Sequence, residues 1–365
     1  MTKVSQRFPE FPWDTLAAAK AVAAAHVGGI VDLSIGTPVD PTPHIVRDAL
    51  CESANSPGYP TVHGPESLRQ AAVDWLERRF GIVGLTASAV LPTVGSKELI
   101  ANLPLQLGFG KGDAIGIPEL AYPTYEVGAR YAGCDVIASD STIGFGPVTP
   151  KLVFINSPSN PTGRILGIDH LKKMVDWARE RGVLLVSDEC YLEYAWDGTP
   201  YSILHPAVCG GTFEGLLTVH SLSKRSNLAG YRAAFVAGDQ FVIDELLAVR
   251  KHLGFMLPTP VQSAMAAALA DDLHVRIQRK TYAARRLDLR KALEGAGFTV
   301  EHSEGALYVW ATRGEPCRDT IDWLAERGIL AAPGDFYGAR GAHYVRVAFT
   351  ATDERIAAAS ERLSR

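Results

Sequence analysis

Lys224 stands in the run "TVHSLSKRSNLAGYR" among Ser221, Ser223 and Ser226, with Arg225 beside it and Arg232 eight positions on. A free lysine ammonium has a pKa of about 10.4 and is no nucleophile at neutral pH. A neighbouring cation or a dry pocket lowers that value and frees the amine to condense with a carbonyl. Serine hydroxyls and a guanidinium are donors for a phosphate. A lysine for an aldehyde and an arginine for a phosphate are together what pyridoxal phosphate requires. A solvated basic loop is the competing explanation.

Other segments bear on that choice. Asp188 closes the apolar run "VLLVSDE", where a parallel sheet opens its ligand crevice. A buried carboxylate there needs a cation, such as a protonated pyridine nitrogen, although capping a turn would equally occupy it. Asn160 in "NSPSNPTGR" either starts a turn or donates to the cofactor's phenolate oxygen, and Tyr191 is placed for the same donation. Tyr122 in "PELAYPTY" offers a ring to stack on a planar cofactor, or simply packs in the core. In "TVGSKELI" the amides of Gly95, Ser96 and Lys97 open a helix and can face a phosphate. Arg346 sits in the apolar run "YVRVAF", where a guanidinium either clamps a substrate carboxylate or makes a structural ion pair.

These residues need a scaffold. Short β-branched runs alternate with helical patterns: "KLVFINSP", a helix over about 168–181, "VLLVSDE", "GLLTVHS", "AAFVAG" and a helix over about 240–253. Such alternation predicts an α/β fold with a mainly parallel sheet covered on both faces. After "LPTP" the chain reads as one helix of about 35 residues, then as a smaller α+β layer with strands at "LYVWAT" and "HYVRVAF". The expected division is a large domain over 40–260 and a small one from 1–39 plus 261–365, with a cleft between them.

Composition removes several functions. The 365 residues are 47% apolar and 21% charged with a net charge of −4, so no basic field suits nucleic acid. No apolar run reaches the roughly 20 residues of a membrane span, and the start lacks a signal-peptide core. Five scattered cysteines without a CxxC pair fit a reducing cytoplasm, the expected location. "TVGSKELI" is no P-loop, since Ser96 separates Gly95 from Lys97, and "GFGKGD" is a turn. No GxSxG, no HExxH and no metal spacing of histidines occurs.

Taken jointly, "SLSKRSNLAGYR", "SDECY", "SPSNPTG" and "YVRV" resemble, in order and spacing, the class I/II aminotransferases of fold type I. The resemblance runs from "DLSIGTPVDPTP" to the C-terminus. It implies a pyridoxal-phosphate enzyme with a seven-stranded sheet in its large domain, working as a homodimer on an amino acid and a 2-oxo acid such as 2-oxoglutarate. On the matching positions it implies Lys224 as the Schiff-base lysine and Asp188 as partner of the ring nitrogen. Asn160 and Tyr191 become the phenolate-oxygen donors and Tyr122 the stacking ring. Ser221, Ser223 and Arg232 join the amides of 95–97 as phosphate ligands. Arg346 takes the substrate α-carboxylate, with Gly36 and Asn160 beside it. Tyr59 matches a tyrosine that reaches the neighbouring subunit's phosphate. The phrasing of "FPWDTLA", "ELAYPTYEVGAR" and "APGDFYG" is similar to the actinobacterial N-succinyldiaminopimelate aminotransferases. Lys97 departs from many relatives, which carry a small residue or threonine there. The alternatives kept open are an aminotransferase for aromatic, aspartate or methionine-type substrates, a pyridoxal-phosphate lyase, and a binding module retaining only the fold.

Overall fold

A computed structural model describes residues 8–364. Its centre is a seven-stranded sheet in the order Val90–Val94, Ala233–Gly238, Leu216–Ser221, Leu184–Asp188, Leu152–Asn156, Ala114–Ile117, Asp135–Ala138. Ala233–Gly238 runs antiparallel to both of its neighbours, and every other pairing is parallel. The mainly parallel sheet expected from the sequence is therefore present, with one reversed strand.

Burial on both faces explains why these strands read as unbroken apolar runs. In Leu152–Asn156 all five residues are buried. Val153 and Ile155 face a cluster with Leu68, Leu76, Leu171 and Val175 from the helices Glu66–Phe80 and Ile168–Arg181. Leu152 and Phe154 face the opposite cluster with Leu99, Leu103, Tyr125 and Leu246. Each such side chain contributes roughly 1.5–3 kcal/mol by leaving water. The helices Ile168–Arg181 and Gln240–Leu253 coincide with the predicted spans, and both end on a left-handed glycine, Gly182 and Gly254.

A third cluster joins the two ends of the chain. Leu16, Ala19 and Ala23 pack with Leu289, Leu293, Leu324 and Leu363. Beside them a four-stranded sheet pairs Tyr308–Thr312 with Val345–Ala348, setting Trp310 opposite Arg346.

The single 35-residue helix is not found. The chain forms two helices, Thr259–Ala270 and Leu273–Gly295. Asp271 and Asp272 interrupt them: Asp271 turns extended, and its carboxylate accepts the amide of His274 at 2.9 Å. Aspartate side chains compete for backbone amides in this way, which a reading of apolar period misses.

Candidate active site

The strand directions bring one sheet edge together. Asn156, Asp188 and Ser221 end parallel neighbours, while Gly95 follows Val94 and Arg232 precedes Ala233 at the same edge. Outside that edge lies a cavity of about 1470 Å³. It is lined by Gly36, Ser96, Lys97, Tyr122, Asn160 and Asp188, and further by Tyr191, Ser221, Ser223, Lys224, Arg232 and Arg346. Gly95 caps the helix Ser96–Gln106 immediately behind it. Tyr59 stands apart: it is 98% exposed and does not line the cavity.

Lys224 is carried by the four-residue helix Leu222–Arg225, which Ser221 caps by accepting the amide of Ser223 at 3.2 Å. Its ammonium donates to the carbonyl of Gly36. Burial pushes the lysine below its usual range, and the charges of Arg346 and Arg232 act in the same direction. Arg225 is adjacent in sequence but is bound elsewhere, to Glu193 and Asp272.

Asp188 is buried and accepts the hydroxyl of Tyr125 at 2.9 Å and the amide of Cys190 at 3.2 Å. Burial raises its carboxyl, against those hydrogen bonds. No cation among the described residues pairs with it, so the site lacks the positive charge that a protonated pyridine nitrogen would bring.

At the other end, Gly95 has a positive φ of +81°, which disfavours a side chain, and a Cβ there would stand 2.1 Å from the guanidinium of Arg232 and displace it. Arg232 itself adopts φ +56°, a conformation costing a residue with a side chain roughly 1–2 kcal/mol. Its Nη1 donates to the carbonyl of Ala229 at 2.8 Å, and no carboxylate of the described residues pairs with it. An unpaired guanidinium held against the bare start of a helix, beside Ser221 and Ser223, fits a phosphate. The residues present thus suit both ends of pyridoxal phosphate.

Arg346 is 3% exposed. Its Nη1 donates to Asn160 Oδ1 at 2.8 Å and its Nη2 to the carbonyl of Ser34 at 2.6 Å, while Nε has no partner. The guanidinium lies 4.0 Å above the ring of Tyr308. A structural ion pair, the competing explanation, is not formed within the described residues. Gly36 is required by space: a Cβ there would come within 2.4 Å of the Tyr308 ring.

Two participants were not anticipated. Tyr308 supports Arg346 and shares a 2.7 Å hydrogen bond with Tyr191, whose hydroxyl is thereby held at the cavity wall. Tyr125 reaches Asp188 from three residues past Tyr122, and its ring stacks on Phe154 at 4.9 Å. The pattern "YPTY", two tyrosines on adjoining turns, was the available signal. At the mouth, Lys97 is exposed, lies 5.7 Å over the ring of Phe11 and has no carboxylate partner among the described residues. Phe11 packs in turn against Trp13, and Trp13 against Phe336, with tilted rings 5.6 and 5.3 Å apart.

Comparison with known proteins agrees with this geometry. Residues 29–363 match the family model for aminotransferase class I and II. The chain is 61% identical to the probable aminotransferase Rv1178 of Mycobacterium tuberculosis, over 99% of this chain and 86% of that protein. It is 58% identical to the 4-dedimethylamino-4-oxo-anhydrotetracycline transaminase OxyQ of Streptomyces rimosus, over 98% and 100%. Among solved structures, an aminotransferase from Neisseria meningitidis superposes with a TM-score of 0.89 at 30% identity, covering 100% of this chain and 98% of that one. The chain belongs to the class I and II aminotransferases, enzymes of the type I fold that depend on pyridoxal phosphate.

Proposed function

We propose that this chain is a cytoplasmic homodimer that transfers the amino group of N-succinyl-LL-2,6-diaminopimelate to 2-oxoglutarate. The observation that carries the substrate choice is Lys97, an exposed cation that lines the same cavity as Arg346 and has no carboxylate partner among the described residues. A donor with one carboxylate beside its amine and others at its distal end matches that pair of cations.

The cofactor, when bound, supplies an aldehyde that condenses with amines and a ring that accepts electrons from the α-carbon. Arg346 would receive the α-carboxylate, and Asn160, bonded to Arg346 through Oδ1, would have its Nδ2 left to donate to the phenolate oxygen. Asp188 would hold a proton on the ring nitrogen, with Tyr125 orienting its carboxylate. Tyr122, on the cavity wall, would stack on the ring and exclude water from that face. Lys224, its pKa lowered by burial, would be the amine that holds the cofactor's aldehyde, and its free Nζ would take the α-proton and give it back as general base and acid. Arg232, Ser221, Ser223 and the amides of 95–97 would hold the phosphate fixed throughout.

A substrate panel tests the specificity. The succinylated diacid should exceed aspartate, phenylalanine and methionine in kcat/KM by at least about a hundredfold, ~2.7 kcal/mol. Lys97→Gln should raise KM for that diacid about tenfold, ~1.4 kcal/mol, and leave phenylalanine unaffected. A second reading has its own support: Phe8, Phe11, Trp13 and Phe336 make much of the cavity wall aromatic, as a fused-ring ketone would use, and one relative is named for such a substrate. Faster turnover of an aromatic donor or ring ketone than of the diacid would move the assignment there.

Tyr59, projecting from this protomer, suits a contact with the partner's phosphate. Sedimentation should give a dimer of 39.3 kDa chains, and Tyr59→Phe should weaken cofactor retention. A fully active monomer contradicts the shared site.

A further inference from the structure

Arg225 follows Lys224 directly, yet it serves a different part of the molecule. The four-residue helix that carries both is too short to persist by itself, because helix nucleation is unfavourable and few bonds repay it. Something must hold it. Arg225 is 3% exposed and does so with every nitrogen of its guanidinium. Its Nε donates to Glu193 Oε1 at 3.3 Å, Nη1 to the carbonyl of Ala268 at 2.6 Å, and Nη2 to the carbonyl of Asp271 at 3.1 Å. The guanidinium also lies 5.3 Å over the ring of Trp75.

Glu193 is fixed in turn, accepting from Trp75 Nε1 at 3.0 Å and from Arg79 at 2.8 Å. Burial alone would raise its carboxyl, but Arg79 and Arg225 hold it below the usual range, so it is ionised. The next residue, Tyr194, donates its hydroxyl to the carbonyl of Lys224 itself at 2.9 Å. The backbone of the lysine is therefore clamped from two adjacent residues of one segment.

We infer that Arg225 and Glu193 form an anchor that fixes the backbone of Lys224 at the sheet edge, making them positioning residues for its amine. The inference rests on Lys224 being the cofactor lysine. In each half-reaction the free amine would have to reach the same α-carbon to move its proton. A side chain with four torsions does so efficiently only from a fixed root, since misplacement by an ångström costs rate steeply.

The test supplies the amine by another route. In Lys224→Ala, methylamine from solution replaces the missing Nζ and needs no anchored backbone. Arg225→Met should lower kcat about thirtyfold in the otherwise unchanged enzyme, with KM for the amino donor within about twofold. It should also slow borohydride fixation of cofactor on the Lys224 peptide. In the Lys224→Ala background, Arg225→Met should change the methylamine-rescued rate by less than about twofold. An equal fall in both backgrounds overturns the inference, because Arg225 would then shape the whole site, and so does an unchanged kcat. Should Arg225→Met fail to fold, Glu193→Gln is compared in the same two backgrounds with the same expectations. Full turnover of Lys224→Ala without methylamine would instead overturn the lysine assignment, and the anchor with it.

Discussion

Lys224→Ala should bind pyridoxal phosphate and lose at least about 10⁴-fold in kcat, ~5.5 kcal/mol. Retention is expected because the groups that suit the phosphate and ring nitrogen, Arg232, Ser221, Ser223 and Asp188, lie elsewhere on the sheet edge and are untouched. The loss is expected because no other amine is available to move the α-proton: the remaining lysine of the cavity, Lys97, stands exposed against Phe11 at its mouth. Stopped-flow measurement of one half-reaction separates this from slow product release. Turnover within tenfold of the unchanged enzyme would contradict the role.

Asp188→Asn is the second large effect. The substitution keeps the shape and the Tyr125 contact but removes the charge that holds a proton on the ring nitrogen. Activity should fall about a thousandfold, ~4 kcal/mol, and cofactor affinity far less. The direction of the pKa shift adds a check. Burial raises this carboxyl in the bare protein, so its ionisation costs stability as pH rises through the folded-state value. A cationic ring removes that cost, and added cofactor should therefore raise Tm more in the unchanged protein than in Asp188→Asn near neutral pH. Near-normal turnover of Asp188→Asn would make the aspartate structural.

Much of this site could be read from the chain because parallel α/β sheets put their functional residues just past strand ends. Asp188 and Ser221 close apolar runs and Asn160 follows one, so a strand end in an alternating α/β chain was the expected place for each. Arg346 was legible for the opposite reason, being a charge inside an apolar strand. What stayed hidden depends on contacts between distant segments. Tyr308 looks like any strand aromatic until the pairing of Tyr308–Thr312 with Val345–Ala348 brings it under Arg346. Tyr125 shares its helical face with ordinary core residues, and only the close approach of Asp188 distinguishes it. Arg225 stands next to Lys224 in sequence, whereas its partners lie on segments 32 and 47 residues away. The break at Asp271 was missed because the apolar period continues through it, while side-chain capping ends the helix.

The central claim is that Lys224 carries the cofactor, and reduction with borohydride followed by peptide mapping tests it most directly. The purified yellow protein should lose its colour on reduction, with the added mass on the peptide containing Lys224. Label on Lys97 or on any other lysine would contradict the account.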